Sequence, residues 1–222
     1  MNRKLYTGEG IEESQMTATA TRKRGAPRKG QPTWEIAELF PTQGNWSEEE
    51  YLDLDTNRLV ELSDGFIEVL PMPTVAHQFI VAFLWEALKA FVSARGAGKV
   101  LMAGLRVRLC SGKFREPDVV FLGAGHDGQS SEYWSDVDLV MEVVSEGGHT
   151  RDFVKKRRDY AQAGISEYWI VDMRKEEITV LKLVKGRRQY VEHGVFKSGS
   201  VATSALLNGF AVDVAAVFAA AK

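Results

Sequence analysis

Two acidic residues interrupt apolar sequence that is typical of buried strands. Asp118 opens the segment Asp-Val-Val-Phe-Leu, and Glu142 lies within Leu-Val-Met-Glu-Val-Val. An ionised carboxylate in a dry sheet is costly unless a cation, a metal ion or a proton compensates its charge. Two such carboxylates on neighbouring strands suit Mg²⁺, and a divalent ion there can polarise a phosphodiester and activate water. We therefore predict a metal site, with an ion pair from Glu142 to Arg106 or Arg108 as the alternative.

A segment that follows Glu142 supplies a candidate cation. Asp152, Lys156 and Tyr160 are spaced four residues apart and so share one face of a helix. From that face a lysine can direct positive charge at the Glu142 strand, where it would stabilise a phosphate or orient a water molecule. The alternative is a surface pair between Asp152 and Lys156, with Tyr160 in the core. The spacing alone favours this alternative.

These residues need a sheet with helices packed against it. We predict helices that start at Ser47 and span 74–94, 150–163 and 212–221. Strands are expected at 99–102, 105–110, 117–122, 138–144 and 167–172, with hairpins at 59–70 around Asp64-Gly65 and at 176–202. The strand–helix–strand order over 138–172 indicates a crossover connection. The pattern is that of a mixed α/β sheet.

Charge is divided unevenly along the 222 residues, whose formal net charge is −2. Residues 1–32 hold seven basic and three acidic residues, a net charge of +4, so residues 33–222 carry −6. We interpret 1–32 as a flexible basic tail and 33–222 as a single domain. The ordinary composition excludes a coiled coil, a collagen, a disulfide-stapled protein and a globally basic DNA-coating protein.

The cysteine and hydropathy patterns bear on location. The single cysteine, Cys110, excludes an intrachain disulfide, and its apolar segment predicts a core position. We expect a cytoplasmic protein, because a reducing compartment suits such a chain. The sequence gives no apolar run close to the ~20 residues that span a bilayer, so no membrane partner is expected.

Several of these motifs occur together in one known family. The chain resembles the Uma-type family, bacterial proteins of restriction-endonuclease type within the PD-(D/E)XK nuclease superfamily. The resemblance rests on Pro117-Asp118, the strand around Glu142, and the segment Lys156-x-x-x-Tyr160-Ala-x-x-Gly164-Ile-x-Glu167-Tyr-Trp-Ile-Val-Asp172. The segments Glu61-Leu-x-Asp64-Gly65 and His77-Gln78 are also similar, so the resemblance covers about residues 45–215.

The resemblance implies a restriction-endonuclease-like fold, a mixed β-sheet flanked by helices with extra hairpins, and hydrolysis of DNA phosphodiester bonds with Mg²⁺ or Mn²⁺. It makes Asp118 and Glu142 the acids that bind the metal. The superfamily's lysine, two residues after the second acid, is replaced by Val144, and the family's helical lysine corresponds to Lys156. Glu61 is a candidate third acid, with an ordinary hairpin acid beside Asp64 as the alternative.

Other interpretations stay open. Val144 and the basic tail also fit a catalytically inactive nucleic-acid-binding or assembly module on the same fold. A homodimer could form through the apolar strand at Tyr168 and Trp169 and the hairpins that follow it. His77 is expected to hydrogen-bond at a helix start, and His149 is a weaker candidate for the site. The acidic body is unfavourable for tight duplex binding, so either a basic surface is expected locally around Arg106, Arg108, Lys113 and Arg115, or the affinity is low and depends strongly on salt.

Overall fold

The computed structural model describes residues 40–126, 129–144 and 151–222, without the side chains of residues 151 and 152. The predicted tail, 1–32, lies outside these residues, and its boundary with the domain stays a prediction. The elements described below lie in one compact unit, Thr42–Lys222. That unit consists of mixed multi-stranded sheets flanked by helices, which confirms the predicted α/β fold.

The larger sheet carries the centre of the fold. Within the described residues it has six strands in the order β11-β10-β9-β8-β6-β3. These strands are β3 Gly98–Met102, β6 Val119–Gly123, β8 Leu139–Val144, β9 Glu167–Asp172, β10 Glu177–Leu183 and β11 Tyr190–Lys197. Strands β8 and β9 are parallel and the other pairs are antiparallel, so the predicted crossover and the mixed sheet are both confirmed.

Two smaller sheets complete the β structure of the described residues. A five-stranded sheet has the order β2-β1-β5-β4-β7, and β12 pairs with β13. The strands of these sheets are β1 Val60–Ser63, β2 Phe66–Val69, β4 Arg106–Cys110, β5 Lys113–Arg115, β7 Tyr133–Ser135, β12 Val201–Thr203 and β13 Ala211–Asp213. Asp64 and Gly65 have φ angles of 51° and 84°, which is the turn geometry predicted for the β1–β2 hairpin.

Four α-helices and one π-helix fall within the described residues. They are α1 Glu48–Leu52, α2 Val75–Ser93, the π-helix Arg151–Lys156, α3 Arg157–Ala163 and α4 Val214–Ala219. Ser47 caps α1 with a reciprocal Glu50 contact, and Gly164, at φ 88°, ends α3 as predicted. The predicted helix over 150–163 differs in its first half, where the backbone widens to a π-helix.

Helix α2 is 19 residues long and, by length and composition alone, apolar enough to cross a membrane. The expectation that the sequence lacks such a run is therefore wrong. One face of α2 is buried against the larger sheet and α4, with Ile80, Leu84 and Leu88 at most 1% exposed. That packing accounts for the apolar composition of the helix.

The central strands of the larger sheet are buried on both faces. Met141 and Trp169 face the core beneath α2, whereas Val140 and Tyr168 face a second core beneath α3. Tyr168 and Trp169 are both 0% exposed, so their strand does not offer the surface on which the predicted dimer was based. The oligomeric state itself stays a prediction.

Three local expectations differ from the structure. Cys110 is exposed rather than buried, because it ends β4 where the pairing with β5 shifts register. The short strand β7 at Tyr133–Ser135, where the sequence predicted no strand, pairs in parallel with β4. The last helix begins at Val214 rather than at residue 212, because Asp213 closes β13 and caps α4.

Glu167 fastens the 204–207 segment to the larger sheet. Its side chain is fully buried, and one carboxylate oxygen accepts hydrogen bonds from Trp169 Nε1 at 2.6 Å and Ser204 Oγ at 2.7 Å. The other oxygen accepts the backbone N–H groups of Ala205 and Leu206 at 2.6 and 2.7 Å. This acid of the Glu-Tyr-Trp-Ile-Val-Asp segment therefore has a structural role.

Replacing Glu167 by glutamine should destabilise the fold. The new amide presents N–H groups to at least one pair of donors, so we expect the free energy of unfolding to fall by about 1–3 kcal/mol. Urea unfolding measures the change. The matched control is Glu192→Gln on the exposed face of β11, which should stay within about 0.5 kcal/mol of the wild type. Equal stabilities of the two variants would contradict the role of Glu167.

Candidate active site

The two acids predicted to bind metal are neighbours across strands β6 and β8. The register pairs Val119 with Met141, and Asp118 directly precedes the first of these residues while Glu142 directly follows the second. Asp118 also accepts the backbone N–H of Val143 at 2.7 Å. Both acids are buried, at 9% and 5% exposure. The sheet therefore places two carboxylates side by side, as the sequence predicts.

Lys156 and Tyr160 converge on the Glu142 carboxylate. Lys156 Nζ lies 2.7 Å from Glu142 Oε1, and the Tyr160 hydroxyl donates to the same oxygen at 2.5 Å. The expected shared face is thus confirmed for these two residues, while the side chain of Asp152 lies outside the described residues. Lys156 is 1% exposed, so its interpretation as a surface residue is wrong.

The environment of Tyr160 keeps its hydroxyl protonated. Complete burial, together with the adjacent Glu142 charge, raises the pKa of Tyr160 well above its ordinary value. A protonated phenol can donate a hydrogen bond but cannot serve as a base at neutral pH. Tyr160 therefore holds one Glu142 oxygen in place. The sequence predicted the position of Tyr160 in the core but not this contact.

Val144 occupies the position where the superfamily has its lysine. The side chain is 1% exposed and belongs to the core beneath α3, together with Tyr160 and Tyr168. Glu142 and Val144 lie on the same face of β8 because they are two residues apart. The helical Lys156 supplies the cation on that face instead.

Glu61 reaches the same lysine from the β1 strand. Its Oε1 lies 3.4 Å from Lys156 Nζ and accepts the backbone N–H of Glu116 at 3.3 Å. Glu61 is 1% exposed, whereas the Asp64 side chain is 76% exposed. The alternative of an ordinary hairpin acid does not describe Glu61. Three predicted site residues, Glu61, Glu142 and Lys156, are therefore joined by direct contacts.

Arg115 is a buried part of this charge network. Its Nη2 lies 2.6 Å from Asp159 Oδ2, and its Nη1 lies 3.7 Å from Glu61 Oε2. Burial by itself lowers the pKa of Arg115, but the charge of Glu61 and the hydrogen bond to Asp159 outweigh it and raise that pKa. The expectation that Arg115 belongs to a basic surface is wrong. The charged residues on both sides of Phe114 gave no sign of this burial in the sequence.

The other three residues of the expected basic surface are engaged with acids. Arg106 Nε lies 3.9 Å from Glu116, and Lys113 Nζ lies 3.5 Å from Asp159. Arg108 donates to both carboxylate oxygens of Glu48 at 3.1 Å. These pairs offset the positive charge there, so a free basic patch is not formed at that place. The described contacts of Arg106 and Arg108 do not include the alternative ion pair with Glu142.

His77 holds the first acid from the start of α2. Its Nε2 lies 3.3 Å from Asp118 Oδ2, the same oxygen that accepts the Val143 N–H. Burial alone lowers the pKa of His77, but the hydrogen bond to Asp118 and the Asp118 charge raise it above its ordinary value. Besides opening the helix as expected, His77 thus contacts the site. His149 lies outside the described residues.

Two observations bear on whether this site fits a divalent cation. Among the described residues, both hydrogen-bonding contacts of Asp118 fall on Oδ2 and leave Oδ1 for a ligand. The acids buried at the site outnumber the buried lysine and arginine. The acids are Glu61, Glu116, Asp118, Glu142 and Asp159, and the two cations are Lys156 and Arg115. Two hard oxygen donors and an excess of negative charge fit Mg²⁺, which is commonly held by one or two carboxylates.

A larger ready-made ligand cluster is not present in the part of the chain that the structure describes. No group of three or more histidine, cysteine, aspartate or glutamate side chains there converges as metal ligands do. The site therefore offers two carboxylates, and water and substrate phosphate would have to supply the other ligands.

Comparison with known proteins places this site in a family. The family model Uma2, described as "Putative restriction endonuclease", matches residues 48–215. The chain belongs to the Uma2 family. This match confirms the resemblance and gives the Uma2 protein the nuclease class of its family, whose substrate is nucleic acid. All four predicted site residues, Glu61, Asp118, Glu142 and Lys156, lie inside the matched range.

A solved structure supports the fold of the Uma2 protein. A crystal structure described as "a putative nuclease belonging to DUF820" from Anabaena variabilis is similar to it, with 16% sequence identity and a TM-score of 0.67. The similarity covers 80% of this chain and 99% of that chain. No curated protein matches the sequence.

The buried lysine should stabilise the fold strongly. Lys156→Met leaves Glu61 and Glu142 without their shared cation, and breaking a buried pair in this way costs about 3–5 kcal/mol. Lys155→Met is the matched control, because Lys155 is exposed and lies 3.8 Å from the exposed Glu68, a contact worth about 1 kcal/mol or less. Chemical unfolding in EDTA compares the two. Similar losses would contradict a central role for Lys156.

Glu116 should make stability depend on pH. Burial, helped by the Glu61 charge, raises the pKa of Glu116 from an ordinary 4.5 to about 7. The unfolded chain loses this proton at lower pH than the folded chain does, so the free energy of unfolding falls as pH rises from about 4.5 to 7.

The variant Glu116→Gln removes this dependence. We expect it to gain stability over the wild type by on the order of 3 kcal/mol between pH 4.5 and pH 7.5, measured by urea unfolding in EDTA. Parallel stability curves for the two proteins would show that folding does not raise the pKa of Glu116.

Proposed function

We propose that this Uma2 protein is an endonuclease that hydrolyses DNA phosphodiester bonds with Mg²⁺ or Mn²⁺. The observation that carries the proposal is the contact between Lys156 and Glu142, 2.7 Å long and buried, beside Asp118 on the adjacent strand. Two acids and a lysine in one place are the residue types that metal-assisted phosphodiester hydrolysis requires. Family membership supports the nuclease class, and the metal and the DNA substrate are the proposed refinements.

Each site residue has a proposed role. Asp118 and Glu142 would hold the divalent ion, which, when bound, polarises the phosphate and lowers the pKa of a bound water molecule. Lys156 would offset the negative charge that builds on the phosphate oxygens, or orient the attacking water. Glu61 would hold the lysine amine together with Glu142 and complete the surroundings of the site.

Tyr160 and His77 would act as positioning residues. Each donates to one oxygen of one acid: the Tyr160 hydroxyl to Glu142 Oε1, and His77 Nε2 to Asp118 Oδ2. Hydrogen bonds of this kind orient ligand carboxylates and tune their affinity for the ion. In the reaction, the water oxygen bonds to phosphorus, one phosphorus–oxygen bond of the strand breaks, and the leaving oxygen takes up a proton.

A supercoiled plasmid tests the proposal. With Mg²⁺ or Mn²⁺ we expect nicking by the wild type, and a loss of at least about a hundred-fold in Asp118→Asn and Glu142→Gln, the scale of losing one group that stabilises transition-state charge. Lys156→Met, assayed where it is folded, should lose activity similarly, while Lys197→Met, at a lysine that is 74% exposed on β11, should not. The acid control is Glu192→Gln. Equal nicking by all of these proteins would refute the site assignment.

The second candidate function is a nucleic-acid-binding module without catalysis, and Val144 is the observation that favours it. Calorimetric titration with Mn²⁺ separates the two functions. The enzyme requires metal binding that Glu142→Gln weakens, whereas the module would bind DNA equally in EDTA and in Mn²⁺ and would not nick it. Cytoplasmic location is also part of the proposal, since access to DNA in a bacterial cell requires it.

A further inference from the structure

Helix α3 and the turn between β10 and β11 form one continuous surface next to the site. Arg157 on the helix donates to the backbone oxygen of Tyr190 at 3.3 Å. In return, Arg188 on the turn donates to the backbone oxygen of Gln162 at 2.6 Å. One arginine reaches from the helix to the turn and the other reaches from the turn to the helix. These two hydrogen bonds fix the helix and the turn to each other.

The exposed charges of this surface are all positive. Within the two ranges 153–163 and 184–190, the sole acid is Asp159, which is buried against Arg115. The exposed cations, which we call the basic face, are Lys155, Arg157, Arg158, Lys185, Arg187 and Arg188. They lie on a domain whose residues 33–222 carry a net charge of −6, so this concentration runs against the average of the domain.

Two of the six cations contact acids, since Lys155 lies 3.8 Å from Glu68 and Arg158 lies 3.6 Å from Asp159, and the charge of the other four is left available to a partner. Arg157 and Arg188 donate to carbonyl oxygens, which fixes their guanidinium groups without offsetting their charge. Among the described residues, the side chains of Lys185 and Arg187 form no ion pair, although both are exposed. The basic residues around β4 and β5 differ, because acids offset them.

The basic face begins at the candidate active site. Lys156, which contacts Glu142, stands between Lys155 and Arg157 in the chain, so the same helical turn directs one cation inward and its neighbours outward. Helix α3 has seven residues and is therefore about 10 Å long. A surface of that length matches a few consecutive phosphates of a nucleic acid strand.

We propose that the basic face binds the phosphate backbone of the DNA whose bond is cleaved at the site. This inference rests on the proposed function for its choice of partner. Arginine favours phosphate because its planar guanidinium can donate two hydrogen bonds at once. Arg157 and Arg188 are already held by backbone carbonyl oxygens, so DNA binding would remove less conformational freedom from their side chains. The face would thereby give an acidic protein a local attraction for a polyanion.

Two double variants test this face with matched charge changes. Lys185→Gln with Arg187→Gln removes two cations from the basic face without breaking its hydrogen bonds. Arg95→Gln with Lys99→Gln removes the same pair of residue types near β3, at the opposite edge of the larger sheet. Binding of the full chain to a labelled DNA duplex of about 30 base pairs is measured in EDTA between 50 and 200 mM KCl.

The expected difference lies in the salt dependence. Each lost phosphate contact lowers the slope of log affinity against log salt by about 0.9, so the wild type should lose roughly ten-fold more affinity over this range than the face variant. The control variant should match the wild type within about two-fold. Equal slopes for all three proteins, each shown by circular dichroism to be folded, would overturn the proposal.

Failure of the proposed function would appear differently. The face variant should need a higher DNA concentration for half-maximal nicking with Mg²⁺, whereas Asp118→Asn and Glu142→Gln should lower the rate at every DNA concentration, because neither Lys185 nor Arg187 touches Asp118, Glu142 or Lys156. Salt-dependent DNA binding that requires the face, without nicking by the wild type, would support the face and refute the nuclease. Nicking by the wild type, with the face variant binding like the control, would support the nuclease and overturn the face.

Discussion

The ion pair between Lys156 and Glu142, with Glu61 as a second carboxylate near the same amine, is the constraint on which this fold depends. A lysine that is 1% exposed loses its hydration, and this loss is recovered only if its carboxylate partners are held within hydrogen-bonding range. Those partners come from β1 and β8, while the lysine comes from the end of the π-helix. Strand, hairpin and helix must therefore be positioned together before any one of these charges is stable.

Arg115 extends the same requirement to a second helix position. Arg115 contacts both Asp159 on α3 and Glu61 on β1, so it joins the helix to the five-stranded sheet. The buried Lys156 joins the same helical segment to the larger sheet. Even so, the acids of this region outnumber its cations, and the raised pKa of Glu116 is a direct consequence of burial and of that imbalance. A bound divalent cation would reduce the imbalance, which is the electrostatic argument for metal binding at this place.

The sequence predicted the parts of the site that break a local pattern. Asp118 and Glu142 stand out because an acid within an apolar strand conflicts with burial, and the β8–β9 crossover followed from strand and helix lengths. Contacts between distant segments were not predictable in the same way. Arg115 and Lys113 look like ordinary surface cations in sequence, and their burial or pairing depends on the position of Asp159, 44 residues beyond Arg115. Lys156 required the resemblance, because its spacing alone favoured a surface pair.

The exchange of a strand lysine for a helical one changes how the cation is held. On the strand, at the position of Val144, a lysine would share its backbone with Glu142, and the two groups would keep their spacing whatever the helix does. Lys156 instead depends on α3 remaining docked, and its neighbours Lys155 and Arg157 place exposed charge on that same segment. If DNA binds those exposed cations, contact with the backbone and placement of the Lys156 amine become properties of one segment. On the proposed function, an acidic domain then acts on a polyanion because its available cations lie next to the candidate site.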